Sequence, residues 1–214
     1  MVKLYYTPTS CAASSFISAH IAKLNFDCEV VDLATHTTES GIDFYSINPK
    51  GNVPTIVLND GTILNENISC LLYIADQSTD FELAPEKNSN QRYVLIQILS
   101  FLTSELHSII GMFFNPITRE NKSIRIFLMN ILNKKMKYLE KNVLSDINNK
   151  FVYNNQFTII DAYLHIILSW FGYVGIDINE YPIACRYFMN ISELEYVKKA
   201  KHRMSVFPNK ICNN

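Results

Sequence analysis

The sequence has no dominant charge: 19 Lys and Arg stand against 20 Asp and Glu, for a formal net charge of −1. No basic stripe or acidic tail breaks that balance, which argues against nucleic acid as the main partner. No run approaches the roughly 18 apolar residues of a membrane span. The nearest, residues 163–176, is interrupted by His165, Ser169 and Gly172. The opening Met1-Val2-Lys3-Leu4 runs straight into a strand pattern and does not read as a signal peptide. The five cysteines, Cys11, Cys28, Cys70, Cys185 and Cys212, are odd in number and scattered. They form no CxxC pair and no metal-ligand spacing with histidine. No metal is therefore expected, and reduced thiols fit a cytoplasmic protein. Internal repeats and low-complexity tracts are also missing.

What is present is a chain of 214 residues with 48% hydrophobic content, enough for a substantial core. That length allows one large domain or two small ones. The first 80 residues alternate in type. Residues 2–6 read as a strand, 12–24 as a helix, 28–33 as a strand and 42–47 as a short helical or irregular piece. Residues 55–58 and 62–64 read as strands joined by Asn59-Asp60-Gly61, a hairpin signal. Residues 68–77 close the unit as a helix. The order is β-α-β-α-β-β-α, with the first two strands parallel and the last two antiparallel.

A linker rich in Thr79, Asp80, Pro85 and Asn88 follows. Beyond it, helical periods cover residues 91–114 and 123–144. Thr158-Ile159-Ile160-Asp161 has the form of a capping box before an apolar helix at 162–172. Helices at 182–189 and 193–202 complete the chain. The reading is an α/β domain over residues 1–80 and an all-helical domain over residues 88–214.

Cys11 is the residue placed for chemistry. It follows the first strand and the turn Thr7-Pro8-Thr9-Ser10, and it opens the helix beginning Ala12-Ala13-Ser14. A helix start offers unpaired amides and partial positive charge. A thiolate there is stabilised, with a pKa of roughly 3.5–7.5 in place of about 8.5. The alternative is a small buried hydrophobe.

Several segments carry a family resemblance. They are Lys3-Leu4-Tyr5-Tyr6-Thr7-Pro8-Thr9-Ser10-Cys11, Ile47-Asn48-Pro49-Lys50-Gly51-Asn52-Val53-Pro54, Asp60-Gly61-Thr62-Ile63-Leu64-Asn65-Glu66 and Tyr73-Ile74-Ala75-Asp76. Ser104-Glu105-Leu106-His107 and Phe157-Thr158-Ile159-Ile160-Asp161-Ala162-Tyr163-Leu164 follow. The ordered set resembles the cytosolic glutathione transferases, and among them the bacterial beta class. The resemblance implies a thioredoxin-like first domain that binds glutathione as co-substrate. It also implies a helical second domain that carries the pocket for a small hydrophobic electrophile. Cys11 and His107 would be catalytic. Tyr6, Ser10, His36, Asn52 and Glu105 would belong to the glutathione site. A cis peptide at Val53-Pro54 would present the Val53 backbone to the cysteinyl part of glutathione, as an added strand does. Glu66 would meet the γ-glutamyl ammonium, and Asn67 its carboxylate, at a helix N-terminus. Met112, Phe113 and Trp170 would line the electrophile's pocket. The family is dimeric, so a two-fold homodimer is expected.

The chain also departs from the family. Thr9 stands where glycine is usual, and His36 where a lysine meets the glycine carboxylate of glutathione. Ser108 replaces a common lysine. Ser100 replaces an asparagine thought to reach the neighbouring subunit's glutathione. Fewer polar contacts imply weaker glutathione binding. Two other readings share the fold. The monothiol pattern Cys11-Ala12-Ala13-Ser14 suits a glutathione-dependent thiol–disulfide reductase or peroxidase acting through a mixed disulfide. The third reading is a non-catalytic regulatory binding protein, as the stringent starvation regulators are.

Overall fold

The computed structural model describes residues 1–145, 150–153, 155–206 and 211, so Cys212 lies outside the described residues. The chain divides into two compact units, Met1–Ala84 with Glu193–Asn214, and Pro85–Ser192.

The first unit is built on β1 (Lys3–Tyr6), α1 (Ala13–Ile21), β2 (Asp27–Asp32), β3 (Thr37–Thr38), β4 (Thr55–Val57), β5 (Ile63–Leu64) and α2 (Asn67–Gln77). The sheet order is β3-β2-β1-β4-β5. β1 is parallel to β2, with Leu4 opposite Cys28, and antiparallel to β4, with Leu4 opposite Ile56. Paired on both edges, β1 buries Leu4, Tyr5 and Tyr6. Each such side chain contributes about 1.5–3 kcal/mol on leaving water. The β4–β5 hairpin closes where Asn59-Asp60-Gly61 predicts it. Gly61 takes a φ of +85°, and Asp60 Oδ1 accepts from the Thr62 amide at 2.9 Å. This is the thioredoxin-like mixed sheet expected, with two differences. β3 is an extra edge strand, antiparallel to β2 through Val31 and Thr38. The second helix is only a 3₁₀ turn, Phe44–Ser46, started by the Asp43 carboxylate on the Tyr45 amide. Pro49 follows closely and disfavours a helical residue before it.

The second unit holds α3 (Asn90–Phe101), α4 (Ser108–Met112), α5 (Pro116–Glu120), α6 (Lys122–Tyr138), α7 (Ile159–Ser169) and α8 (Pro182–Ser192). A π-helical turn, Leu102–His107, joins α3 to α4, and another, Leu139–Val143, follows α6. The stretch Asn90–Met112 is thus one 23-residue helical run, long and apolar enough to cross a membrane by length and composition, with 33% of its most apolar window buried. The expectation that no run approaches that size is corrected: the π turn carries the apolar pattern past Glu105 and His107 without a break. Asn121 caps α6 through the Ile124 amide at 3.1 Å, and Asn115 starts α5 through the Ile117 amide. The capping box at α7 is present: Asp161 Oδ2 accepts from the Thr158 amide at 2.8 Å, and Thr158 Oγ1 from the Ile160 amide at 3.3 Å.

The last helix, α9 (Glu195–Val206), packs on α1 and groups with the first unit rather than extending the helical one. Its buried face, Val197, Ala200 and Met204, has helical spacing. Periodicity shows that a helix has an apolar side and is silent on which unit covers it.

Candidate functional site

In the first unit, the candidate site is a loop cluster around Cys11. The turn before α1 is closed by Ser10, whose Oγ donates to the Thr7 carbonyl at 2.9 Å and accepts from the Ala12 amide at 3.1 Å. Ser10 therefore caps the turn, and its one hydroxyl proton is committed there. Cys11 is half-buried, and its thiol donates to the Val53 carbonyl at 3.5 Å. Burial pushes this thiol up to about 12, against the pull of the Cys11 and Ala12 amides and with a further upward push from Glu66. Burial therefore works against the thiolate that the helix start favours.

Val53 and Pro54 are joined by the cis peptide that the resemblance implies. The organiser of this loop is Asn48, a residue the sequence reading did not single out. Fully buried, it donates from Nδ2 to the Asn52 carbonyl at 2.8 Å, to Asn52 Oδ1 at 2.9 Å and to Thr55 Oγ1 at 3.0 Å. Its Oδ1 accepts from the Lys50 amide at 3.1 Å and from Asn65 Nδ2 at 3.2 Å. Asn52 donates in turn to the Asn65 carbonyl at 3.0 Å. The side chain of Asn52 is therefore spent on the loop. The only sequence signal for Asn48 is an amide side chain directly before Pro49.

Glu66 is exposed at the start of α2, and its carboxylate pairs with the Lys50 ammonium. Asn67, by contrast, turns inward. Its side chain is buried within 3.4 Å of the Ser14 and Ser15 hydroxyls. It ties α2 to α1, so the expectation that this side chain meets a ligand carboxylate is corrected; the amides at the start of α2 remain for that task. Tyr6 is corrected as well. It is fully buried against the Phe16 ring, with centroids 5.0 Å apart, and burial pushes its hydroxyl well above the usual range. It is a core residue and cannot touch a ligand.

His36 has a left-handed backbone, with φ of 52°, and its ring lies tilted against Tyr45 with centroids 4.5 Å apart. Gly51 makes room for both: a Cβ there would lie 2.6 Å from Tyr45 Cε1 and 3.1 Å from His36 Nδ1. His36 is thus brought to the Lys50-Gly51 loop, and its Nδ1 is buried there without a hydrogen-bond partner.

In the second unit, His107 ends the π turn. Its Nδ1 lies 2.7 Å from the Tyr163 hydroxyl on α7, and its ring lies 4.9 Å from Trp170. Burial lowers its pKa, which favours the neutral imidazole. Glu105, on the same turn, pairs with Lys135 of α6. π turns recur at functional positions, and this one sets Glu105 and His107 on the helix. Phe113 is corrected as a pocket wall: it is fully buried, with the Arg125 guanidinium 5.3 Å from its ring. The exposed ring is its neighbour, Phe114, set edge-on to Trp170 at 6.0 Å. Met112 is 49% exposed, and Trp170 is buried. Among the described residues, no group of three or more His, Cys, Asp or Glu could hold a metal ion.

Comparison with known proteins decides the family. Residues 10–77 match the family described as glutathione S-transferase, N-terminal domain. The chain is 31% identical over 199 residues to glutathione S-transferase GstA of Escherichia coli O157:H7, covering 93% of this chain and 96% of that one. The chain belongs to the glutathione S-transferase family. The structure of a sphingomonad glutathione S-transferase complexed with glutathione matches this transferase with a TM-score of 0.86 at 34% identity, over 95% of this chain and 99% of that one. A bacterial beta class glutathione S-transferase from Sphingomonas chungbukensis matches with a TM-score of 0.84 at 34% identity, over 94% and 97% of the two chains.

Proposed function

We propose that this transferase conjugates glutathione to small hydrophobic electrophiles, with Cys11 acting as a hydrogen-bond donor to the glutathione sulfur. The observation that supports this is the Cys11 thiol, which donates to the Val53 carbonyl at 3.5 Å. A neutral thiol has one proton to give, and a thiolate ligand is a stronger acceptor than an amide carbonyl. In the bound state the Cys11 proton turns from Val53 to the glutathione sulfur and holds it as thiolate. The Val53 carbonyl and amide then face the cysteinyl backbone of glutathione. Glu66 takes the γ-glutamyl ammonium in place of Lys50. The sulfur lone pair forms the new C–S bond, and the leaving group departs with its electron pair. The neutral His107, beside Tyr163, contributes polarity to a pocket otherwise formed by Met112, Phe114 and Trp170. Such apolar walls select loosely by size.

The reductase reading needs a Cys11 thiolate that attacks a disulfide. Burial works against that state. Intact mass after incubation with oxidised glutathione separates the two: no adduct on Cys11 is expected, and an adduct lost in Cys11→Ala restores the reductase. A homodimer is also part of the proposal, because the apolar Asn90–Met112 run leaves most of its surface outside the chain's own core. Light scattering is expected to give twice the monomer mass. The four described cysteines are free thiols, which supports a reducing, cytoplasmic location and a detoxifying role there.

A further inference from the structure

His107 and Tyr163 meet inside the second unit, with the imidazole Nδ1 2.7 Å from the phenol oxygen. Both ends of that contact are held. Tyr163 is fully buried on α7, a helix buried from Ile159 to Leu168 and anchored at its start by the Thr158–Asp161 capping box. The His107 ring lies edge-on to Tyr163, with centroids 6.0 Å apart, and tilted against Trp170 at 4.9 Å. Rings on two sides oppose the flip that would exchange Nδ1 and Nε2.

The two ring nitrogens have different surroundings. Nδ1 faces the hydroxyl. Among the described residues Nε2 has no hydrogen-bond partner, and it is not enclosed, so it is open to a group that enters beside it. A neutral imidazole carries one proton, and the partner of one nitrogen decides which nitrogen holds it. A carbonyl or carboxylate at Nδ1 would keep the proton there, because those groups only accept. A phenol also donates. Its O–H is a better donor than a neutral imidazole N–H, and a bare imidazole nitrogen is a better acceptor than a phenol oxygen. The hydroxyl proton therefore points at Nδ1, and the imidazole proton is left on Nε2. Burial favours the neutral ring to which this applies.

We propose that Tyr163 is a positioning residue for conjugation: its hydroxyl donates to His107 Nδ1 and fixes the imidazole proton on Nε2, which then offers a hydrogen-bond donor to the electrophile. The use of that donor rests on the proposed transferase activity. A group that departs with its electron pair gains negative charge, and an N–H stabilises that charge where a bare nitrogen would repel it. Tyr163 touches no reacting atom and acts through His107.

The test begins with long-range proton–nitrogen NMR of the full chain labelled with 15N-histidine, recorded without glutathione or electrophile. His107 is assigned among the five histidines by its loss in His107→Phe. The wild type is expected to show a bare Nδ1 and a protonated Nε2, and Tyr163→Phe a mixture of both tautomers. With a chlorodinitrobenzene as electrophile, Tyr163→Phe is expected to lower kcat about five-fold at unchanged KM for glutathione, the scale of one lost hydrogen bond. In a His107→Phe background the same substitution is expected to leave kcat unchanged, because its effect runs through the imidazole. A wild-type proton on Nδ1, unaltered nitrogen shifts in Tyr163→Phe, or an equal loss of kcat in both backgrounds overturns the proposal. A protein that conjugates nothing defeats the transferase activity, and the spectra still decide where Tyr163 holds the proton.

Discussion

Cys11 and His107 are both titratable, both half-buried and both pushed toward the neutral form, yet they are held in different ways. Burial raises the thiol and lowers the imidazole, because in each case it penalises the charged form. Cys11 belongs to loops. Its position depends on the Ser10 turn, on the Asn48 hydrogen bonds and on one backbone carbonyl. His107 belongs to helices. Its position depends on a π turn, a tyrosine hydroxyl and the tilted ring of Trp170. A loop site needs buried polar side chains to replace regular backbone pairing. A helical site needs only that facing helices keep their register.

The comparison predicts where each unit fails first. The largest effect is expected in the helical unit from Asp161→Ala. That fully buried carboxylate accepts from the Val152 and Thr158 amides, the Thr158 hydroxyl and the Tyr187 hydroxyl at 2.7–3.1 Å. Orphaning those donors is expected to cost about 4 kcal/mol, at 1–3 kcal/mol for each buried group left unpaired. Urea unfolding measures it, and a loss under 1 kcal/mol would place α7's anchorage elsewhere. Asn48→Ala is the counterpart in the loop unit. We expect about 3 kcal/mol of lost stability together with glutathione affinity lowered ten-fold or more. Unaltered affinity would mean that the loop keeps its shape without Asn48.

The functional side of the comparison rests on smaller changes. Cys11→Ala removes one donor to a charged sulfur, worth about 1.5–3 kcal/mol, or roughly 10–100-fold in kcat near neutral pH. The pKa of bound glutathione, read from the pH–rate profile, is expected to rise in this variant. An unchanged profile would take the Cys11 proton out of the mechanism.

Acid exposes a further contrast. Burial alone would raise Glu29, but the Lys3 ammonium, the Ser40 and Thr38 hydroxyls and the Ser40 amide outweigh it and hold Glu29 down to about 2. Its carboxylate therefore adds stability above the ordinary carboxylate range, and that stability is lost as pH falls through about 2. Lys3 is partly exposed, so the contribution is expected to be about 1 kcal/mol. Glu29→Gln is expected to flatten the stability curve between about pH 4.5 and 2, which chemical denaturation across that window reads directly. His107 acts at a higher pH. Below about pH 6.5 the unfolded chain takes up a proton that the native imidazole resists, so stability falls with pH there, and His107→Phe removes that slope. A slope that survives in His107→Phe belongs to another group.

Much of the fold was readable because its signals are local. The Asn59-Asp60-Gly61 hairpin, the Thr158–Asp161 cap and the helical periods of α3 and α6 each involve residues a few positions apart. The backbone conformations they favour do not depend on distant partners. The succession of strands and helices followed from them, and the ordered motifs carried the family. The tertiary structure decided everything that depends on which groups lose water. It put Tyr6 and Phe113 in the core, turned Asn67 toward α1, moved α9 onto the first unit and set burial of Cys11 against the pull of the helix start. Residue order sets what each side chain can donate, accept or bury. Desolvation and partner geometry, which arise only when distant segments meet, set which of those it does.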